Sequence, residues 1–153
     1  MLIRPETPED SHPIRAVHAA AFEPRAAPGM EPVEARLVSE LREDGDLILR
    51  LSLVAVQDGV IVGHVCCSPA RLADDGETSV GLGPLGVLPD RQRSGVGSAL
   101  MHAVIAAADA LGYGSICLLG DPPTTVVSAS PSAPDTRFFR RSLDGRRTSR
   151  FAL

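Results

Sequence analysis

Lysine and asparagine are absent from this sequence, and each of its fifteen basic residues is an arginine. Both missing residues have codons that begin AA, so the coding DNA is GC-rich. Without lysine, a phosphate-binding P-loop of the form GxxxxGK[ST] is excluded. Cysteine is scarce: Cys66, Cys67 and Cys117 show neither a CxxC spacing nor the even count of a disulfide framework, which leaves free buried thiols and argues against a metal site. No stretch approaches the roughly 20 uninterrupted apolar residues that span a bilayer. The opening MLIRPETPED also lacks the basic-then-apolar order of a secretory signal, and a soluble, cytoplasmic chain with no membrane partner is expected. A positive surplus is missing too: the formal charge of −4 over 153 residues disfavours nucleic acid as a partner. What the chain does hold is 44% apolar residues, ample for the core of one domain, and a small-molecule partner is the natural expectation.

The periodicity gives an order of elements. MLIRP alternates weakly up to Pro5 and reads as a short strand. Ser11 and Pro13 stand where an N-cap and an early proline belong, and Ile14, Val17, Ala21 and Phe22 follow at helical spacing, predicting a helix from about Pro13 to Phe22. EPRAAPGMEP is loop chemistry. Val33, Leu37 and Leu41 then recur every four residues, predicting a second helix from about Pro32 to Glu43. LILRLSLVAVQ and VIVGHVCCSPA are β-rich runs separated by Asp58 and Gly59, the strongest short hairpin signal because a type I′ turn needs positive φ twice. SVGLGPLGVLP follows the polar turn ADDGE, so three antiparallel strands in a meander are expected. Past Pro89 the period lengthens: Leu100, Met101, Val104, Ile105, Ala108 and Leu111 share one helical face, closed by Gly112. YGSICLLG is then a short buried strand, and strand, crossover helix and strand make a βαβ unit with parallel strands.

DRQRSGVGSAL, residues 90–100, lies at the turn from the third meander strand into that crossover helix. A helix N-terminus presents unpaired N–H groups and about half a positive charge, so it holds a phosphate without lysine. Glycines let a ligand approach the main chain, although a turn needing positive φ would select glycine as well. A dinucleotide fingerprint GxGxxG fails here, because Gly95 and Gly97 are followed by Leu100. The pattern present is QxxGxG, from Gln92 to Gly97.

GPLGVLPDRQRSGVGSAL resembles the coenzyme A binding signature of the GNAT superfamily of N-acetyltransferases, and the element order over residues 1–122 is similar to that family's. The resemblance implies an α/β fold with a mixed sheet, an antiparallel meander plus a βαβ unit. It implies acetyl-CoA as co-substrate and no metal, with the diphosphate gripped by the turn amides of Gln92, Arg93, Ser94, Gly95, Val96, Gly97 and Ser98. Backbone groups around Leu85 and Val87 would pair with the pantetheine arm, in a gap where that strand and the next parallel one splay apart. An amine of a small molecule or peptide would attack the acetyl carbon. The residues do not single out a base: Glu34, His64 and Glu77 are candidates, and each has a plain structural explanation as a solvated helix face, a satisfied strand residue and a turn carboxylate. Arg93, more than Arg91, is the candidate for the adenosine phosphate.

From Pro123 the chain changes character. Residues 123–153 carry six Arg against two Asp, with twelve Ser, Thr or Pro, whereas residues 1–122 carry nine Arg against seventeen acids. This composition reads as a disordered tail following a domain of residues 1–122. The family resemblance calls instead for a helix and two more strands, opening with something like YYGRFGF, whose tyrosines include the usual acid. Regrouping the codons of PTTVVSAS one base out of step gives NAC, NAC, NGT, NGT, NTC, NGC, NTC, which permit Tyr, Tyr, Gly, Arg, Phe, Gly, Phe in that order. A lost base near codon 122 or 123 accounts for this, and a chain so altered would be an impaired enzyme with an exposed strand edge at residues 114–119. If the tail is native, Tyr113 is the alternative acid. A non-catalytic coenzyme A-binding or protein-interaction module and a nucleotide-binding regulatory domain are the other functional readings, and oligomeric state is not readable.

Overall fold

The computed structural model describes residues 1–70 and 79–118. Their elements run β1 (Leu2–Pro5), α1 (Ser11–Phe22), α2 (Val33–Glu43), β2 (Leu53–Gln57), β3 (Val60–Ala70), β4 (Ser79–Val87), α3 (Val96–Ala110) and β5 (Ser115–Leu118). The turn ADDGE, including Glu77, and everything from residue 119 onward, including the tail and the strands the family would place there, lie outside the described residues.

One mixed sheet holds the strands in the order β1-β2-β3-β4-β5. The first four are antiparallel neighbours, and β5 runs parallel to β4. Alternation along the strands separates two cores. Ala55, Val65 and Cys67 pack with Val96, Leu100 and Val104 of α3 on one face. Val54, Ile61 and Cys66 pack with Ile14 and Val17 of α1 and Val38 of α2 on the other. The apolar spacing of each helix thus finds a sheet face to cover.

The β2–β3 hairpin turns at Asp58 and Gly59 with φ of 50° and 79°, both positive as a type I′ turn requires. The crossover helix α3 ends on Gly112 at φ 80°, where the Tyr113 amide returns to the Ala108 carbonyl at 3.1 Å.

Three local expectations change. The first helix opens at Ser11, with a short 3-10 turn at Pro8–Asp10 before it. Asp10 accepts from the Thr7 amide at 2.7 Å and takes Arg4 in a two-pronged ion pair at 2.6 and 3.0 Å, so the chain is already capped one turn earlier than Ser11. In the second, LILRLSLVAVQ is strand only from Leu53. Leu47 belongs to the cluster under α1 and α2, and Leu51 to the cluster under α3. Residues four apart on one strand would face the same side, so the segment instead crosses the sheet plane through a 3-10 turn at Leu49–Leu51. The third concerns β5, which is half-buried along its described length and not a fully buried strand.

Candidate functional site

The β4–β5 ladder runs from Ser79–Ser115 to Leu82–Leu118, the last described residue, and β4 continues to Val87. A bulge falls just past this point: Cys66 of β3 stands opposite both Gly83 and Pro84, and its thiol donates to the Gly83 carbonyl at 3.2 Å. Beyond the bulge the ladder with β3 resumes through Val65–Leu85, His64–Gly86 and Gly63–Val87. The Leu88 amide donates to Val62 at 2.9 Å. Antiparallel pairs alternate between bonded and unbonded, so Gly86 turns its main-chain groups toward β3. Leu85 and Val87 turn theirs the other way, away from β3, where the Val87 carbonyl accepts from Gln92.

At the end of β4 a 3-10 turn at Pro89–Arg91 leads into α3. Gly95 is the N-cap of α3 at φ 87°, a left-handed conformation that an L-residue adopts at a cost of roughly 1–2 kcal/mol. Arg93, at φ 57°, accepts that strain. Two contacts brace the turn: the Gln92 side-chain amide donates to the Val87 carbonyl at 3.0 Å, and the Ser94 hydroxyl donates to the Arg91 carbonyl at 2.5 Å. Main-chain amides of Arg91 and Gln92 turn inward, to Leu88 at 2.8 Å and Pro89 at 3.4 Å. By contrast, none of the N–H groups of Arg93, Ser94, Gly95, Val96, Gly97 and Ser98 donates to an acceptor among the described residues. Six consecutive free amides at the positive end of a 15-residue helix suit an anion. Gly97 lies directly over β4: a Cβ there would sit 3.6 Å from Leu85 and 3.7 Å from Val87. The fold places Leu85 and Val87 of β4 beneath Gly97 and sets Arg93 to Ser98 in the turn and first helical residues above them, with Gln92 bracing that turn on the Val87 carbonyl.

The other candidates divide. Arg91 is exposed and paired with Asp90 at 3.4 Å, whereas Arg93 has no ion-pair partner among the described residues. Glu34 lies in the first turn of α2 and is partly exposed. Tyr113 follows the C-terminus of α3, roughly 20 Å of helix away from Gly95. His64 is fully buried with both ring nitrogens engaged.

His64 belongs to a cluster that sequence reading missed. Arg42 of α2 clasps Glu6 through contacts of 2.9 and 3.1 Å. Ser52 donates its hydroxyl to Glu6 at 2.6 Å and lies 2.9 Å from His64 Nε2, while His64 Nδ1 lies 2.8 Å from Nε2 of His18 on α1. Burial tends to raise the Glu6 carboxyl, but hydrogen bonds from His64, Ser52 and Arg42 outweigh it and hold it at about 2. Burial, with His64 alongside, pushes His18 down to about 3; burial also lowers His64 despite Glu6. Among the polar side-chain atoms, His18 Nδ1 is buried without a hydrogen-bond partner, a condition that costs roughly 1–3 kcal/mol. Burial likewise suppresses the thiols, raising Cys66 strongly and Cys67 to about 12, so neither is a nucleophile at neutral pH.

No group of three or more His, Cys, Asp or Glu among the described residues is placed to hold a metal ion, and no described helix is long and apolar enough to cross a membrane.

Known proteins share this arrangement. The uncharacterized N-acetyltransferase YhbS of Escherichia coli K12 is 37% identical over 123 residues, 80% of this chain and 68% of its own. The uncharacterized N-acetyltransferase YjhQ of the same strain is 33% identical over 113 residues, 72% of this chain and 59% of its own. Among solved structures, a GNAT family acetyltransferase from Brucella melitensis in complex with acetyl-CoA superposes with a TM-score of 0.72 at 37% identity, over 80% of this chain and 77% of that one. Escherichia coli YhbS in complex with CoA superposes at 0.70 with 35% identity, over 80% and 64%. The Acetyltransferase (GNAT) family matches residues 14–140, and with relatives 37% identical over 80% of its length, the chain belongs to the GNAT family of N-acetyltransferases.

Proposed function

We propose that the chain binds acetyl-CoA and transfers its acetyl group to an amine of a small molecule or peptide. The diphosphate lies on the amides of Arg93, Ser94, Gly95, Val96, Gly97 and Ser98, and the pantetheine arm runs along Leu85 and Val87. The observation that carries this reading is the run of six amides without an acceptor among the described residues, entering α3 where Gly97 lies over Leu85 and Val87 of β4. Hydrogen bonds to a charged group contribute about 1.5–3 kcal/mol each, and the helix terminus adds to them without lysine. Gln92 fixes the turn from below, and Arg93 is the residue offered to the adenosine phosphate.

The acyl donor supplies a thioester. The chain holds its carbonyl against the main chain of β4, where N–H groups stabilise the oxygen as negative charge develops, and aligns the acetyl carbon with the incoming nitrogen. The C–N bond forms, the C–S bond breaks, and the proton of the amine leaves with the departing thiolate as its eventual acceptor. His64 is enclosed and does not reach the amine. Relatives crystallised with acetyl-CoA and with CoA support the donor.

The domain comprises residues 1–122, followed by an atypical segment 123–153 read as out of frame. That segment favours a second reading, an impaired or non-catalytic coenzyme A-binding module, because the tyrosine-bearing motif is absent from residues 123–153 as written and the codons permit it only one base out of step. Sequencing the coding DNA tests this, and third bases incompatible with YYGRFGF refute it. Binding is tested by acetyl-CoA titration against thermal unfolding: at 100 times its dissociation constant the ligand should stabilise the fold by about 2.7 kcal/mol. No shift at millimolar acetyl-CoA would refute the site. Release of free thiol with a panel of amines then separates enzyme from binding module.

A further inference from the structure

The buried cluster behind β4 takes no part in gripping a diphosphate, yet it ends on the strand against which the thioester would lie. Its hydrogen bonds have one consistent direction. Glu6 accepts from Arg42 and from the Ser52 hydroxyl, whose single proton is thereby used. Ser52 must then accept from His64 Nε2–H, which leaves His64 Nδ1 as an acceptor for His18 Nε2–H. At the end of the series His18 Nδ1 carries a lone pair and no proton.

What faces that nitrogen is Gly86. A Cβ at Gly86 would stand 2.7 Å from His18 Nδ1 and 3.0 Å from its Cε1, so the ring occupies the direction in which a side chain would grow. The ring itself is gripped: His64 meets it edge-on at 89°, and Phe22 stacks behind it at 6.0 Å. Gly86 is flanked by Leu85 and Val87, the residues whose main-chain groups point away from β3. A side chain at position 86 would have to occupy the space between ring and strand, so glycine there lets the ring approach β4.

We propose that His18 is a positioning residue for acyl transfer: its ring, held by His64 and Phe22 and set against Gly86, fixes how far the Leu85–Val87 segment stands out from β3, and so the fit of an acyl-pantetheine arm. The proposal rests on the reading of β4 and α3 as the acetyl-CoA site. It separates two ends of the ligand, because α3, which would hold the diphosphate, packs on the opposite face of the sheet from His18.

The test compares affinities of the full chain for acetyl-CoA and for adenosine 3′-phosphate 5′-diphosphate, which carries the diphosphate without the pantetheine arm. His18→Gln keeps a donor toward His64 and loses the ring, Gly86→Ala presses on the ring from the strand side, and His18→Ala with Gly86→Ala removes the clash. His18→Gln and Gly86→Ala are each expected to weaken acetyl-CoA about tenfold or more while leaving the fragment unchanged, and the double variant to recover part of the loss relative to Gly86→Ala. Acetyl-CoA affinity unchanged in folded His18→Gln and Gly86→Ala, or an equal weakening of both ligands, would overturn the proposal and leave His18 as core packing. A wild-type chain that binds neither ligand would overturn the site reading itself, and this inference with it.

Discussion

A carboxylate at position 98 would act in two opposite directions. Ser98 is exposed in the first turn of α3, where an acidic side chain complements the helix dipole and takes up free amides. Ser98→Asp is therefore expected to raise stability by roughly 0.3–1 kcal/mol in urea unfolding, while repelling a diphosphate and weakening acetyl-CoA by about tenfold. Parallel changes in both quantities would contradict an anion site at this terminus. Gly95→Ala meets open space but must hold φ 87°, so it should lose roughly 1–2 kcal/mol of stability through strain alone. At this scale the glycines were legible because a turn entering a helix admits few alternatives. His18 was not: it reads as one more residue on an apolar face, and its meaning comes from His64, 46 positions away.

Between elements, Glu6 does the joining. It follows β1, and its carboxylate takes hydrogen bonds from α2 through Arg42, from the residue that begins the approach to β2 through Ser52, and stands 3.3 Å from His64 of β3. Removing it would leave the buried Ser52 hydroxyl without its acceptor and the partly exposed Arg42 guanidinium without its counter-charge. Glu6→Ala should cost about 3–5 kcal/mol in chemical denaturation; a loss under 1 kcal/mol would mean that the contacts are replaced by water. The helices and the hairpin were readable from spacing and from Asp58-Gly59, since both signals are local. The start of β2 was not. LILRLSL has the composition of a strand, and only the need for Leu47 and Leu51 to reach opposite faces of the sheet turns it aside.

For the molecule as a whole, the buried charges make an acid-sensitive fold. His18 is held at about 3 in the native state, below its ordinary 6.5, so between those values the unfolded chain takes a proton that the folded chain refuses. Glu6 is held at about 2, below 4.5, so the unfolded chain again binds the proton first as pH falls through that window. Both effects have the same sign, each near 1.4 kcal/mol per pH unit within its window. Stability should be level near pH 7–8, decline from about pH 6.5 and fall more steeply below pH 4.5, as read from urea midpoints at each pH, and fall again above about pH 9, where the unfolded chain ionises the thiols of Cys66 and Cys67 that burial keeps protonated; Asp10, lowered to about 2 chiefly by its Arg4 hydrogen bond, bends the acid side the same way. A profile flat from pH 7 to 5 would show that His18 is not suppressed by burial. By itself, the order of amino acids determined the α/β class, the succession of strands and helices and the glycine turn that opens α3, because periodicity, caps and turns are properties of neighbours along the chain. Only tertiary structure decided which way Leu85 and Val87 present their main chain, and that Glu6, Ser52, His64 and His18 meet, because burial and hydrogen-bond partners depend on distances that packing alone creates.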